Sequence, residues 1–435
     1  MNLIFIFVIF FLSLSPASWA QSAREKADMV GSASCSAVSC HGGTQKKKNE
    51  FTIWSTQDKH RKAYGVLFDP RSQKMAKILG LKLAAHEDES CLSCHAVKAD
   101  VAKGPRYDLQ DGVSCEVCHG AANAWLEPHT RKGWTHRQNL NLGMTDLQDM
   151  STRTETCLKC HAAIDHRLLS AGHPDVVFEQ DTFSAMMPKH WQEKEKFSSA
   201  KAWSLGQVLQ LRNVMQSLRE KTKSLGKLDE GFKNCFACHH DIYDVRWTLS
   251  EQANGKASWD HGRDAVLLIF LKGAFPKAFE DLSPKIQTLD KSFADEKASL
   301  ESVVSTAQDI ETILAPLIPQ IASFIWTPEI IKTTMTALSA DSSLAWKGYH
   351  TAEQTVMALD SLSQTLKEMG NLEPTLKNEI KKLYDTLDIK DPSRYDPQAF
   401  EKSLQNTHQS LATQKPETSE KKFVNPKGFW GKTKF

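Results

Sequence analysis

Three styles of hydrophobic patterning divide the chain. Residues 3–14 read LIFIFVIFFLSL, an unbroken apolar run followed by Ser15-Pro16 and the stretch Ala17-Ser18-Trp19-Ala20. The run is shorter than the roughly 20 residues a spanning helix needs. Ser18 and Ala20 suit the positions before a signal-peptidase cut. This predicts a signal peptide over 1–20, cleaved after Ala20. No Lys or Arg precedes the run, and the alternative is an uncleaved N-terminal anchor. From about 34 to 261, Gly, Pro and polar turns interrupt the pattern, and one long period stands out. Over 202–225, Leu205, Val208, Leu209, Leu211, Val214, Met215 and Leu218 recur at helical spacing, which predicts a long helix packing over this region.

Beyond 261 the pattern is helical. Residues 263–275 are strongly apolar around AVLLIFL, and helices are predicted over 296–325, 329–340, 343–368, 374–388 and 397–413. Thr327-Pro328, Glu373-Pro374 and Asp396-Pro397 mark helix starts, and Gly370-Asn371 marks a stop. Strand signals are weak. The expectation for 262–415 is an antiparallel helical bundle. Trp346 and His350 fall four residues apart and are expected to pack as a pair on one helix face. The tail, 416–435, mixes Lys421 and Lys422 with Phe423, Phe429, Trp430 and Phe435. It is expected to pack on the surface, with a docking segment as the alternative. No internal apolar run is long enough to span a bilayer, which excludes a polytopic membrane protein.

Composition narrows the picture. The chain has 435 residues, 40% hydrophobic and 24% charged, with 54 basic and 52 acidic side chains and a net charge of +2. That is globular composition. The near balance of charge argues against nucleic acid as a partner. The informative counts are 10 Cys and 16 His. An exported chain with ten cysteines would ordinarily suggest disulfides, but the arrangement of these cysteines points elsewhere.

Cys91-Leu-Ser-Cys94, Cys115-Glu-Val-Cys118, Cys157-Leu-Lys-Cys160 and Cys235-Phe-Ala-Cys238 are followed directly by His95, His119, His161 and His239. A wider pair, Cys35 and Cys40, is followed by His41. Every cysteine is consumed. C-x-x-C-H is the attachment signature of c-type haem. Two thiols a short turn apart reach two vinyl groups on one porphyrin edge, and the next residue offers an imidazole to the iron. A single C-x-x-C could be a redox disulfide or half a zinc site. Five copies, each with its own His, leave no room for that reading. The cofactor expectation is therefore five covalently bound haem c, with His41, His95, His119, His161 and His239 as axial ligands. The longer spacer at Cys35–Cys40 has to loop out.

The second axial ligand separates electron carriers from sites open to substrate. Nine further histidines crowd the cysteine-bearing region: His60, His86, His129, His136, His166, His173, His190, His240 and His261. His60, His129 and His173 are the leading candidates, with His166, His240 and His261 next. His240 follows His239 directly, so it would have to serve a neighbouring haem. His190 stands beside Trp191 and reads as packing.

The segments Gly112-Val-Ser-Cys115-Glu-Val-Cys118-His119-Gly120, His166-Arg-Leu-Leu-Ser-Ala-Gly-His173-Pro174, Cys235-Phe-Ala-Cys238-His239-His240-Asp241 and Trp54 to His60 resemble the multihaem cytochrome c554 family. The resemblance extends over roughly 34 to 259. It implies a mainly α fold with little regular strand, closely packed haems and largely bis-His ligation. By the same resemblance, His60 and His129 serve haems attached elsewhere in the chain. The family type has four haems, one of them without a sixth ligand. This chain has five motifs and a long C-terminal extension.

The resulting expectation is a pentahaem cytochrome c domain over 34–261, a haem-free helical bundle over 262–415 and a periplasmic or otherwise exported location. The expected activity is electron transfer between redox partner proteins, a donor and an acceptor. The bundle would cap the haem domain, form a homo-oligomer or dock a membrane-associated redox complex. The alternative is a haem oxidoreductase with one open iron acting on a small nitrogen or sulfur species. The Cys35–Cys40 haem, with its unusual spacer, is the suspect for that opening.

Overall fold

Apolar residues every three to four positions build the C-terminal half, while short capped turns build the rest. In the computed structural model the described residues are 28–96, 103–193, 196–237, 258–295, 297–372, 374–388 and 392–412. The expected signal peptide, Cys238, His239, His240 and the tail lie outside them. The described residues are mainly α with no regular strand; two isolated bridges join Met29 to Lys103 and Lys233 to Trp259.

The first region carries short helices: α1 (Glu50–Gln57), α2 (Pro70–Ile78), α3 (Glu89–His95), α4 (Cys115–His119), α5 (His136–Asn141), α6 (Met150–Leu158), α7 (His166–Ser170) and α8 (Gln180–Met186). Several are started by side-chain caps. Asp88, Asp149 and Asp165 accept from the backbone N–H of Ser90, Thr152 and Leu168, and Thr135 with Gln138 forms a capping box. Each cap satisfies N–H groups that such short helices would otherwise leave orphaned. Buried Glu116 ties the chain's first described turn to α4. Its carboxylate accepts from the N–H of Val30 (2.9 Å), Gly31 (2.8 Å) and Ala122 (2.7 Å). Gly31 has φ +91°, and a Cβ there would lie 2.0 Å from the carbonyl oxygen of Arg106, so only glycine fits.

The predicted long helix is α9 (Ser198–Leu225). Then come α10 (Ala265–Ala274), α11 (Pro276–Ala294), α12 (Leu300–Leu314), α13 (Leu317–Ala322), α14 (Pro328–Ala340), α15 (Ser343–Trp346), α16 (Tyr349–Glu368), α17 (Pro374–Leu387) and α18 (Pro397–Ala412). Three features depart from the sequence expectation. Helix α11 was not anticipated, although Ala278, Leu282, Ile286, Leu289 and Phe293 line its buried side around an internal Pro284. The stretch over 296–325 is two helices, α12 and α13, separated at Ala315-Pro316. The stretch over 343–368 breaks at Gly348, which has φ +112° and lies against the Asn234 side chain. Trp346 and His350 are therefore on different helices. Trp346 donates to Glu401, while His350 binds Asp175 and Asp260.

Helix α9 packs against α12, α13 and α16 of the bundle and against α6 and α8 of the first region. Its first half is buried almost all round, from Ser199 to Leu209. One apolar cluster runs from Met150 and Leu158 through α9 to Leu411. Burying a side chain of Leu or Phe size contributes about 1.5–3 kcal/mol, so this cluster dominates the stability of the C-terminal half. The other cluster is small: Tyr64, Leu67, Ala76, Ala85 and Ala96.

Candidate haem sites

The attachment motifs sit on short helical turns. Cys35 ends the 3-10 turn Ser32–Cys35, Cys91 and Cys94 lie on α3, Cys115 and Cys118 lie on α4, Cys157 lies in the last turn of α6 ahead of Cys160, and Cys235 opens the 3-10 turn Cys235–Ala237. No disulfide joins the described cysteines. Instead, motifs meet each other. The Cys35 and Cys115 thiols hydrogen-bond, as do those of Cys94 and Cys160, and Cys118 lies within electrostatic reach of Cys157. The first motif thus adjoins the third, the second adjoins the fourth, and the third and fourth are neighbours.

Each described motif histidine faces a second histidine. Ring centres are 6.3 Å apart for His41 and His129, 6.3 Å for His95 and His173, 6.4 Å for His119 and His190, and 6.1 Å for His161 and His60. Metal–imidazole bonds are about 2.0–2.1 Å, and the ring centre lies roughly 1 Å behind the nitrogen. Two imidazoles on opposite sides of one metal therefore hold their centres roughly 6 Å apart. All four pairs meet that spacing. The ring planes vary, from 6° between His41 and His129 to 87° between His60 and His161.

The hydrogen bonds behind the rings agree. The Nδ1 of His41 is bound to Glu50 (3.1 Å), that of His60 to Asp58 (2.9 Å), that of His95 to the carbonyl of Ala63 (2.8 Å) and that of His173 to the carbonyl of Pro174 (2.7 Å). The His129 Nδ1 contacts the carbonyl of Leu126. Anchoring Nδ1 leaves Nε2 as the electron-pair donor, the usual support for a metal-binding imidazole. Burial holds His119 and His161 at about 4, with His190 and His41 adding to the effect at His119 and His60 at His161. Both are neutral at pH 7, the form that binds metal. Among the described residues no group of three or more His, Cys, Asp or Glu is arranged around a bare metal ion. The spacing and the anchored Nδ1 atoms fit a metal gripped from two sides, as in a haem.

The other candidates fall differently. His166 begins α7 exposed, and its backbone N–H donates to Asp229. His261 directs Nδ1 to Asp264 (3.3 Å) and Nε2 to Asp290 (3.6 Å). Neither is brought to a described motif histidine. His86 stacks on Phe68, and His136 binds Asp146. His190, read as packing from its Trp191 neighbour, does contact Trp191 but also faces His119. The only sequence signal for it was the crowding of histidines beside the motifs. The Cys35–Cys40 motif, suspected of an open site, has His129 stacked opposite His41. Cys235 lies near His350, Asp260, Asp175 and Arg263.

Residues 23–120 match the family model described as cytochrome c554 and c-prime. The match spans the first three motifs and ends at Gly120; the stretches 166–174 and 235–241 lie beyond it. It supports a c-type cytochrome with covalently bound haem c and a role in electron transfer. No curated protein and no solved structure matches the chain significantly. Among the described residues no helix is long and apolar enough to cross a membrane.

Proposed function

We propose that this c554-like chain is an exported pentahaem cytochrome that carries electrons between redox partner proteins through mostly bis-His haems. The observation that carries the reading is the set of four histidine pairs at 6.1–6.4 Å, each containing one motif histidine. In this reading His41 with His129, His95 with His173, His119 with His190 and His161 with His60 hold four irons, and the fifth haem is attached at Cys235 and Cys238. Each haem supplies one electron's worth of reversible iron chemistry. The chain supplies the rest. Glu50, Asp58 and the carbonyls behind His95 and His173 fix ring orientation and raise ligand basicity. Cys35 lies beside Cys115 and Cys94 beside Cys160, so haems attached there would sit side by side. The helical bundle would cap the haem region, dimerise or dock a partner.

One observation favours the alternative, a haem oxidoreductase acting on a small nitrogen or sulfur species. Cys235 lies within electrostatic reach of Asp175, Asp260, Arg263 and His350, an ion-paired group that includes residues suited to acid–base work. The test is a haem count by pyridine haemochrome on the purified holoprotein, followed by low-temperature EPR with and without cyanide. Five haems, all low-spin and inert to cyanide, are expected for the carrier. A high-spin signal that takes up cyanide would replace it with the enzyme reading, and a count other than five would overturn the pentahaem assignment.

A further inference from the structure

Next to the fourth motif lies a group of three carboxylates, one of them buried, that haem attachment does not explain. Phe178 stacks on His161 with ring centres 5.6 Å apart and an interplanar angle of 27°, and Phe183 meets the same ring edge-on at 5.2 Å. The next residue, Glu179, is 1% exposed. It caps α8, accepting from the N–H of Asp181 (2.9 Å) and of Thr182 (2.7 Å). The Ser361 hydroxyl of α16 donates to it at 3.5 Å and also reaches Asp181. Asp360, exposed on α16, accepts from the Tyr384 hydroxyl of α17 at 3.2 Å. Three carboxylates therefore meet at one interface between the haem region and the bundle. The cations facing the group are Lys189, toward Asp181, and Lys377, toward Asp360. No cation lies behind Glu179 itself among the interactions of the described residues.

We infer that Glu179 is a redox-linked proton site, binding one proton from solvent when the haem held by His161 and His60 gains one electron. The inference rests on the carrier reading above. The electron comes from the redox donor protein, the proton from water by way of Asp360, Ser361 and Asp181. Glu179 passes from carboxylate to carboxylic acid, and both charges leave together on reoxidation. The physical reason is charge balance. A buried carboxyl on the residue next to Phe178, whose ring stacks on His161, would feel the added electron through low-dielectric protein, where charges interact strongly. Burial, then the Asp181 charge, already pushes the Glu179 carboxyl up to about 7, against the hydrogen bonds it accepts at the α8 N-terminus. Partial desolvation at the interface raises the Asp181 and Asp360 carboxyls as well. Below about pH 7 the oxidised protein already carries the proton and reduction takes up none. Above it the reduced form binds the proton more tightly, so the haem potential falls as pH rises.

The experiment is spectroelectrochemical titration of the full holoprotein from pH 6 to 9. One haem is expected to have a potential that is flat below about pH 7 and then falls, by up to about 59 mV for each tenfold drop in proton concentration. Glu179→Gln is expected to abolish that fall while the EPR spectrum stays low-spin. A wild-type potential independent of pH, or a slope retained in E179Q, overturns the inference. Should E179Q not fold, Ser361→Ala serves instead. Losing the hydroxyl between Glu179 and Asp181 moves the window along the pH axis if Glu179 is the group; an unmoved window rules Glu179 out. Low-spin, cyanide-inert haems without the pH slope would leave the carrier reading standing and remove only this one.

Discussion

The stretch over 28–197 and the stretch over 198–412 solve the problem of a core in different ways. The second buries long helices against one another, with Leu282, Ile310, Leu338, Leu359 and Phe400 fully enclosed. The first has helices of one or two turns and a small apolar cluster whose largest members are Tyr64 and Leu67. Its recurring contacts are between largely half-buried histidines, cysteines and aromatic rings. Its other buried apolar side chains are scattered, as Trp54 and Trp125 are, or belong to the cluster around α9, as Leu158 and Phe178 do, which is little for a region of this size. The difference teaches that the first region's core is organised by what its cysteines and histidines bind.

The sharpest break of that comparison is to make the chain without attached haem, for example as Cys115→Ser with Cys118→Ser and the corresponding changes at the other motifs. Residues 28–197 should lose hydrogen-exchange protection and become protease-sensitive. The helices from α9 to α18 should keep both. Equal protection in the two regions would mean that the first region has a core of its own.

How much of this was legible in sequence follows the same divide. The attachment motifs are local, and their chemistry could be read from spacing alone. The pairing of histidines is tertiary. His60, His129 and His173 stood out by position and by family resemblance, but which motif each faces is set by how short helices pack. His190 was hidden by its Trp191 neighbour. In the second region the apolar period of α9 was plain. Its burial on all sides was not, because Ala200, Ser204, Gly206 and Gln207 carry no hydrophobic signal. The break at Gly348 likewise depends on Asn234, a partner distant in the chain.

The next effect concerns a buried ion-pair group of the second region that reaches Asp175 of the first. His350, on α16, binds Asp260 (2.9 Å) and Asp175 (3.1 Å), and Asp260 also faces Arg263 (3.5 Å). Burial alone would raise the Asp260 carboxyl, but the His350 and Arg263 charges with hydrogen bonds from His350 and the Gly262 N–H hold it well below the usual range. Burial would lower His350, but the two aspartates raise it well above the ordinary histidine value. The Asp260 contribution is present above the ordinary carboxylate range and lost as pH falls through its depressed value. The His350 contribution is present below the ordinary histidine value and lost as pH rises through its raised one. Asp260→Asn leaves a buried cation short of a partner and should cost about 3–5 kcal/mol. Chemical denaturation at pH 6 measures it, and a loss under about 1 kcal/mol would show that the group is held by packing instead.

Within the bundle, Leu359→Ala removes a fully buried side chain from α16. It should cost about 2–5 kcal/mol, depending on how far the site collapses. The spectrum of the four haems assigned to histidine pairs should not change, because those histidines all precede residue 198. A shift in the Soret band of L359A would mean that bundle packing reaches the haem sites and that the two regions are less independent than their cores suggest.

The smallest effect tests whether charge adds to the bundle's cohesion. Lys285 of α11 and Asp309 of α12 pair at 2.7 Å, with 42% and 47% of their side chains exposed. Water screens such a pair, and fixing two long side chains costs entropy, so Lys285→Ala should change stability by about 0–1 kcal/mol. Arg219 of α9 meets Glu311 of α12 through two nitrogens, at 2.5 and 3.2 Å, with 22% and 16% exposure. The forked geometry and deeper position make Arg219→Ala the costlier of the two changes. Raising the salt to 1 M should erase the Lys285 effect and leave most of the Arg219 effect, since partly buried pairs are screened less. If the two variants lose stability equally and respond to salt alike, both pairs act as surface charges. The α9–α12 contact then rests wholly on its apolar face, where Leu211, Val214, Met215 and Leu218 lie among Val303, Ala307, Ile310 and Leu314 in one buried cluster.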